Sequence, residues 1–233
     1  MTDAAGARRS LLWPRLVALA GIAVLIGLGT WQMQRREWKS ALIAEIDQRR
    51  AAAPLESLPA TVESTLEFRQ VALAGRFLHD KEMRLISRSR GGAVGLELVT
   101  PLALADGATV LVNRGWVPDD LADPAKRPGT LVPGTVQVRG AVRLGERLGW
   151  ATPENRPAEG LWFSADPAAM VSASGISAPP YIVVVEGAGL ELPRPRQPGA
   201  LPKNDHLQYA LTWYALAAAL GAVAVLAARQ ARR

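Results

Sequence analysis

Two long apolar stretches bracket the chain, and between them the hydrophobic period changes. Residues 16–33 and 207–228 form runs of 18 and 22 residues without a charged side chain. At about 1.5 Å per residue the second run reaches roughly 33 Å, enough to cross a hydrocarbon core of about 30 Å. Its polar positions, Gln208, Tyr209, Thr212, Trp213 and Tyr214, cluster at its start, and aromatic residues there fit an interfacial belt. The first run has the basic start of a signal peptide. It lacks a following Ala-x-Ala site and passes straight into Trp31, Gln32 and a charged helical stretch, so it reads as an anchor that stays in place.

Past the first run, Trp38, Leu42 and Ile46 recur at i+4 among Arg and Glu, which predicts that the helix continues to about residue 52, before Pro54. Beyond Pro59 the pattern becomes that of strands. Val71, Leu73 and Phe77 start one, residues 83–86 alternate, and residues 96–104, 109–116, 135–144 and 181–185 follow. Gly-, Asp- and Pro-rich breaks separate them, which predicts antiparallel pairing in a small barrel or sandwich. Asp166-Pro167 ahead of residues 168–173 predicts a short helix, with Asp as N-cap and Pro in its first turn. Residues 192–202 carry four prolines and read as a stiff linker back to the membrane. The expected fold class is thus an α+β membrane protein. It has tails at 1–15 and 229–233, spans at 16–33 and 207–228, and an external domain over 34–206.

Charge supports this division. The chain carries a formal +6. Six arginines and one acidic residue lie in the first 33 and last 26 residues, a net +5, whereas residues 34–207 are nearly balanced at +1. Basic excess beside apolar runs is the positive-inside pattern and places both termini in the cytoplasm. It is not the patch of a nucleic-acid binder, and no nucleic-acid motif accompanies it. The chain has no cysteine, which excludes disulfides, thiolate nucleophiles and Cys-ligated metals, and its two histidines are too few for a multi-histidine cage.

Few residues offer chemistry. Ser87 and Ser89 lack a partnering His or Asp pattern. The run Gly91-Gly92-Ala93-Val94-Gly95 reads as a tight turn, not a dinucleotide loop. Asp119, Asp120 and Asp123 lack the Gly and Glu of a calcium loop. His79 reads as a turn histidine bonded to a neighbour. His206 sits one turn before the apolar core of the second run, where Asp205 and Gln208 fit a capping box. His206, Tyr209 and Trp213 follow at i, i+3 and i+7 and share a face. Two readings stand for this histidine: an interfacial residue among belt aromatics, or an imidazole ligand beside aromatic walls. Arg114, at a strand end beside Trp116, suits either a ligand carboxylate or an ordinary salt bridge.

Three stretches resemble the Surfeit locus protein one family of cytochrome c oxidase assembly factors. They are Leu28-Gly29-Thr30-Trp31-Gln32 with Arg35, Arg36, Trp38 and Lys39; Val112-Asn113-Arg114-Gly115-Trp116-Val117-Pro118; and Asn204 with His206-Leu207-Gln208-Tyr209 and Thr212-Trp213-Tyr214. Weaker matches are Phe77, His79 and Glu82; Thr100-Pro101-Leu102; and Pro153-Glu154-Asn155 with Trp162 and Asp166. Leu96 departs from an aromatic common after the glycine turn, and the segment before Trp162 is short. The resemblance implies two membrane helices flanking an external domain. It further implies a non-enzymatic role in maturing the haem-containing subunit of an aa3-type oxidase, by binding haem a and handing it on. The family's proposed haem histidine falls on His206. Trp31, Tyr209 and Trp213 then stand as walls, and Arg114, Arg35 or Arg36 as propionate partners. The implied partners are the membrane, the oxidase subunit and haem a synthase. The implied location is a bacterial inner membrane with the central domain in the periplasm. The competing expectations are a scaffold that holds oxidase subunits without haem, and a tethered ligand-binding or sensor domain.

The charge bias makes a direct prediction about topology. Alkaline phosphatase fused after Gly199 should be active, and the same reporter fused after Arg233 should be inactive. Activity at the C-terminal fusion would sink the two-span arrangement.

Overall fold

A computed structural model describes residues 4–57, 59, 61–146, 149–189, 191–198 and 203–231, with side chains from residue 13 onward. Two compact units result: a helical unit of residues 1–45 and 201–233, and a sheet domain of residues 46–200.

The helical unit is built on α1 (Ala4–Ala51) and α3 (His206–Gln230). Both contain a segment long and apolar enough to cross a membrane. The predicted continuation of the first run past residue 33 is present, and α1 stops three residues before Pro54. Along α1, Ala18, Ile22, Leu25, Gly29, Gln32, Arg36 and Lys39 form a covered row, with Gly21, Leu28 and Met33 beside it. Along α3, His206, Ala210, Trp213, Ala217, Leu220 and Ala224 form another, with Gly221 and Ala228 beside it. Each row steps alternately by three and four residues, the 3.5-residue repeat of a left-handed helix seam. Small residues let the backbones approach. A Cβ on Gly29 would lie 2.6 Å from the Tyr214 ring, and one on Gly21 would lie 3.1 Å from Leu220. Away from the seam, Leu16, Val17, Val24, Ile26, Leu216, Val223 and Leu226 are exposed. A core helix of a soluble protein would bury such side chains; their exposure here is compatible with membrane anchoring.

The sheet domain carries β1 (Gln70–Phe77), β2 (Met83–Arg90), β3 (Ala93–Leu104), β4 (Thr109–Pro118), β5 (Val136–Arg143), β6 (Leu161–Trp162) and β7 (Ile182–Val185), with α2 (Pro167–Ser174). The strands form one seven-stranded sheet in the order β1-β5-β7-β4-β3-β2-β6, with a further β1–β3 pairing at residues 75–77. Pairing is mainly antiparallel, as expected: only β4–β7 and β2–β6 run parallel. The small barrel or sandwich expected from sequence is corrected, because the strands form one mixed sheet. The chain from β4 returns to β7 by way of β5, β6 and α2, a long connection of the kind parallel pairing requires. Sequence also missed β6, whose two residues are too short to show a period.

Apolar side chains cover both faces of the central strands. On one face Val110, Val112 and Val183 join Val71, Leu73, Leu102 and Tyr181. On the other, Leu111, Ile182 and Val184 pack with Leu85, Val99, Trp162 and Met170 of α2. Burial on both faces explains why β4 and β7 read as unbroken apolar runs, not alternating ones. The α2 cap is as expected: the Asp166 carboxylate accepts from the Ala169 N–H at 3.1 Å, and Pro167 opens the helix. Gly91 and Gly92, with φ of 59° and 83°, make the tight β2–β3 turn. The last part of the proline linker, residues 199–202, lies outside the described residues, as do tail residues 1–3, Arg232 and Arg233.

Tyr181 is fully buried, and its hydroxyl donates to the Pro59 carbonyl at 3.1 Å. Burial pushes the phenol up to about 12 from an ordinary value of 10.0. The folded state therefore holds the proton more tightly than the unfolded one. The resulting stability is complete below pH 10 and is lost as pH rises from 10 through 12. At about 1.4 kcal/mol per pH unit the loss is roughly 3 kcal/mol. Alkaline unfolding of the full chain in detergent, compared with Tyr181→Phe, should show this extra pH dependence only in the parent.

Candidate functional site

The start of α3 is fastened to α1. Asn204 donates through Nδ2 to the Arg36 carbonyl at 3.1 Å and to the Ser40 hydroxyl at 3.0 Å. Asp205 takes the N-cap position, but with φ −88° and ψ 7° its side chain makes no capping bond. The capping box read from sequence is therefore not formed. Instead the Asp205 carbonyl accepts from the N–H of Gln208 at 3.1 Å.

One turn of helix places His206 against α1. Its Nδ1–H donates to Gln32 Oε1 at 2.7 Å. An amide oxygen only accepts, so Nδ1 carries a proton, and in the neutral ring the lone pair lies on Nε2. Histidines that ligate metals are held in this way, with the distal N–H donated to an oxygen. His206, Gln32, Lys39, Lys203, Asp205 and Tyr209 line a cavity of about 250 Å³ open to the surroundings. It combines one imidazole, one aromatic wall, one amide, one carboxylate and two ammonium groups, a lining that can take a planar, carboxylate-bearing ligand with an imidazole-seeking centre.

The other residues singled out from sequence divide around this cavity. Tyr209 lines it and is 58% exposed. Trp213 lies half-buried on the seam, and Trp31 is 51% exposed on α1; neither lines the cavity. Arg35 stacks on Trp38, its guanidinium carbon 4.6 Å from the ring centroid. Gln32, Lys39 and Lys203 did not stand out from sequence as site residues. Their role arises from the antiparallel register of the two helices, which no local pattern encodes.

Arg114 belongs to the sheet domain and is spent there. It is 5% exposed, stacked on Phe77, 3.3 Å from Glu82 Oε2, and donates to the Thr130 carbonyl. Arg127 meets the same carboxylate at 2.5 Å. Burial lowers the Arg114 pKa, Glu82 opposes that shift, and Arg127 adds to it. One carboxylate thus serves two buried guanidinium groups, and Arg114 makes the ordinary ion pair. His79 donates through Nε2 to the Val132 carbonyl at 3.1 Å, the turn role expected of it. The Asp123 carboxylate caps a short turn by accepting from the Ala125 N–H at 2.9 Å. Among the described residues no group of three His, Cys, Asp or Glu is arranged to hold a metal ion.

Comparison with known proteins gives this geometry a family. The sequence pattern of the SURF1 family matches residues 19–218. The chain belongs to the SURF1 family. It is 36% identical to a SURF1-like protein of Monosiga brevicollis, over 84% of this chain and 80% of that protein. It is 37% identical to Surfeit locus protein 1 of Rattus norvegicus, over 84% and 70%, and 38% identical to that of Homo sapiens, over 83% and 70%. The three motif stretches of this SURF1-family chain fall on the structure in two groups. Residues 28–39 and 204–214 meet across the helix seam around His206, and residues 112–118 form the end of β4.

Proposed function

We propose that this SURF1-family protein is an assembly factor for cytochrome c oxidase that binds haem a as cargo and passes it to the haem-containing subunit of an aa3-type enzyme. The observation that carries the reading is the His206–Gln32 hydrogen bond at 2.7 Å, beside a cavity with two ammonium groups. A neutral imidazole with a free Nε2 is a good axial ligand for haem iron. Lys39 and Lys203 suit the propionates as point charges, and Tyr209 suits the macrocycle edge. Gln32 acts through His206: it orients the ring and favours the tautomer whose lone pair lies on Nε2. The haem's redox chemistry belongs to the oxidase that receives it, and this chain holds its cargo without turnover. Haem a synthase is the source the reading implies.

The same reading places the protein in a bacterial inner membrane. The two helices span it, the termini lie in the cytoplasm, and the sheet domain lies in the periplasm, as the basic flanks favour.

The test is haem content per purified full-length protein, with its absorption spectrum. His206→Ala should insert and accumulate, because alanine is a good helix former near a helix start, yet lose most bound haem a. Gln32→Leu should retain an intact ligand but bind roughly tenfold more weakly. His79→Ala should be unchanged. A His206→Ala protein with full haem and an unaltered spectrum would contradict the assignment. A parent chain that carries no haem a while supporting oxidase assembly would favour a scaffold.

A further inference from the structure

The sheet domain contains a second and larger feature that the haem reading does not use. An open groove of about 810 Å³ runs between the β2–β3 hairpin and the segment around Arg194–Arg196. Four arginines, Arg88, Arg90, Arg194 and Arg196, line it with a single carboxylate, Glu97.

The charge balance is incomplete. Arg196 lies 3.6 Å from Glu97, and Arg88 meets Glu146 at 2.7 Å. No carboxylate among the described residues pairs with Arg90 or Arg194. Arg90 donates only to the carbonyls of Arg194 and Pro195, both at 3.0 Å. Arg194 lies over the Trp116 ring at 5.6 Å, and its buried Nε has no hydrogen-bond partner. Several guanidinium groups held close together with little counter-charge repel one another and await an anion.

The groove is also built, not incidental. Trp116 is 4% exposed, and its Nε1 donates to the Arg88 carbonyl at 3.0 Å. The Trp116 and Arg194 backbones exchange hydrogen bonds at 2.9 and 2.8 Å. That approach requires glycine at position 115: its φ is +125°, and a Cβ there would lie 2.2 Å from the Arg194 carbonyl oxygen. On the opposite wall the β2–β3 register shifts between Leu85 and Arg88, and Ser87 holds a φ of 59° that a serine rarely adopts. The bulge re-aims residues 87–90. Parallel pairing with β6 covers β2 only at Arg84 and Leu85, so no described strand pairs with the outer edge of β2 beyond them.

We infer that this groove binds an extended, acidic segment of a partner protein, laid along the edge of β2 with its carboxylates on Arg88, Arg90, Arg194 and Arg196. Guanidinium groups match carboxylates in a fork geometry, and an unpaired strand edge supplies backbone hydrogen bonds to an extended chain. Arginines on both walls favour a segment with several carboxylates over a single small anion. Haem does not suit it, because neither histidine lines it.

The test uses the full chain in detergent without haem, so its outcome is separate from that of the haem experiment. The probe is a fluorescein-labelled peptide of alternating Glu and Ser, followed by anisotropy, beside the corresponding Lys–Ser peptide. The acidic peptide should bind, and its affinity should fall as salt rises. Arg88→Ala with Arg196→Ala should weaken it roughly tenfold or more. Arg196→Ala alone, at a side chain 40% exposed, spares the fold and should show part of that loss. Arg156→Ala, exposed and outside the groove, should show none. Equal binding of acidic and basic peptides, full affinity in the double variant, or displacement by inorganic phosphate at matched charge would each overturn the proposal.

Discussion

The antiparallel register of α1 and α3 is the constraint on which the candidate haem site depends. Neither helix alone has a site. His206 alone is an interfacial imidazole, and Gln32 alone is a polar side chain near the end of an apolar run. The alternating three- and four-residue steps along both helices bring their covered faces together, and small residues set how closely. Tyr214 over Gly29 and Leu220 over Gly21 fix the apolar part of the seam, and Asn204 bridges to Arg36 and Ser40 at its polar end. Between those fastenings His206 has one place to donate its Nδ1–H, and the chemistry of Nε2 follows.

The sheet domain answers to a different constraint. Its central strands are buried on both faces, so polar groups at their ends must find partners within the domain. Asn113 donates to Glu97 at 2.7 Å and accepts from the Gly115 N–H at 3.1 Å. Arg114, one residue on, enters the buried cluster of Glu82, Arg127 and Thr130. A buried carboxylate shared by two guanidinium groups is a poor source of net stability, but removal of either sign would leave charge stranded in the core, at several kcal/mol. The motif over 112–118 thus sends alternate side chains to different tasks: Arg114 locks the domain, and Trp116 floors an arginine-lined groove.

Much of this was legible in the sequence, for identifiable reasons. Two long apolar helices, helix continuation through Trp38 and Ile46, six strands and the Asp166 cap all depend on local period, length or cap chemistry. What escaped depends on non-local pairing. The parallel partners of β4 and β2 follow from a crossover through α2 and a two-residue strand, neither of which has a period to read. Asp205-x-x-Gln208 matched a capping box, yet the Asp205 backbone is not extended and the cap is made by its carbonyl. Arg114 was open between ligand and salt bridge, and only the fold brings Glu82 and Thr130 to it. Within the site, His206 and Tyr209 were visible as one helical face, whereas Gln32, Lys39 and Lys203 enter through the helix register.

That register is directly measurable, because the chain contains no cysteine. Gln32→Cys with His206→Cys places two thiols across the seam, and Gln34→Cys with Gln208→Cys places two on exposed faces at the same level. A short bis-maleimide applied to each full-length protein in native membranes, with the linked product resolved by gel mobility after proteolysis between the helices, reads the arrangement. Efficient linkage of the first pair within one chain, and little of the second, is the expected result. Equal linkage of both pairs, or preference for the second, would contradict the register and with it the site at His206.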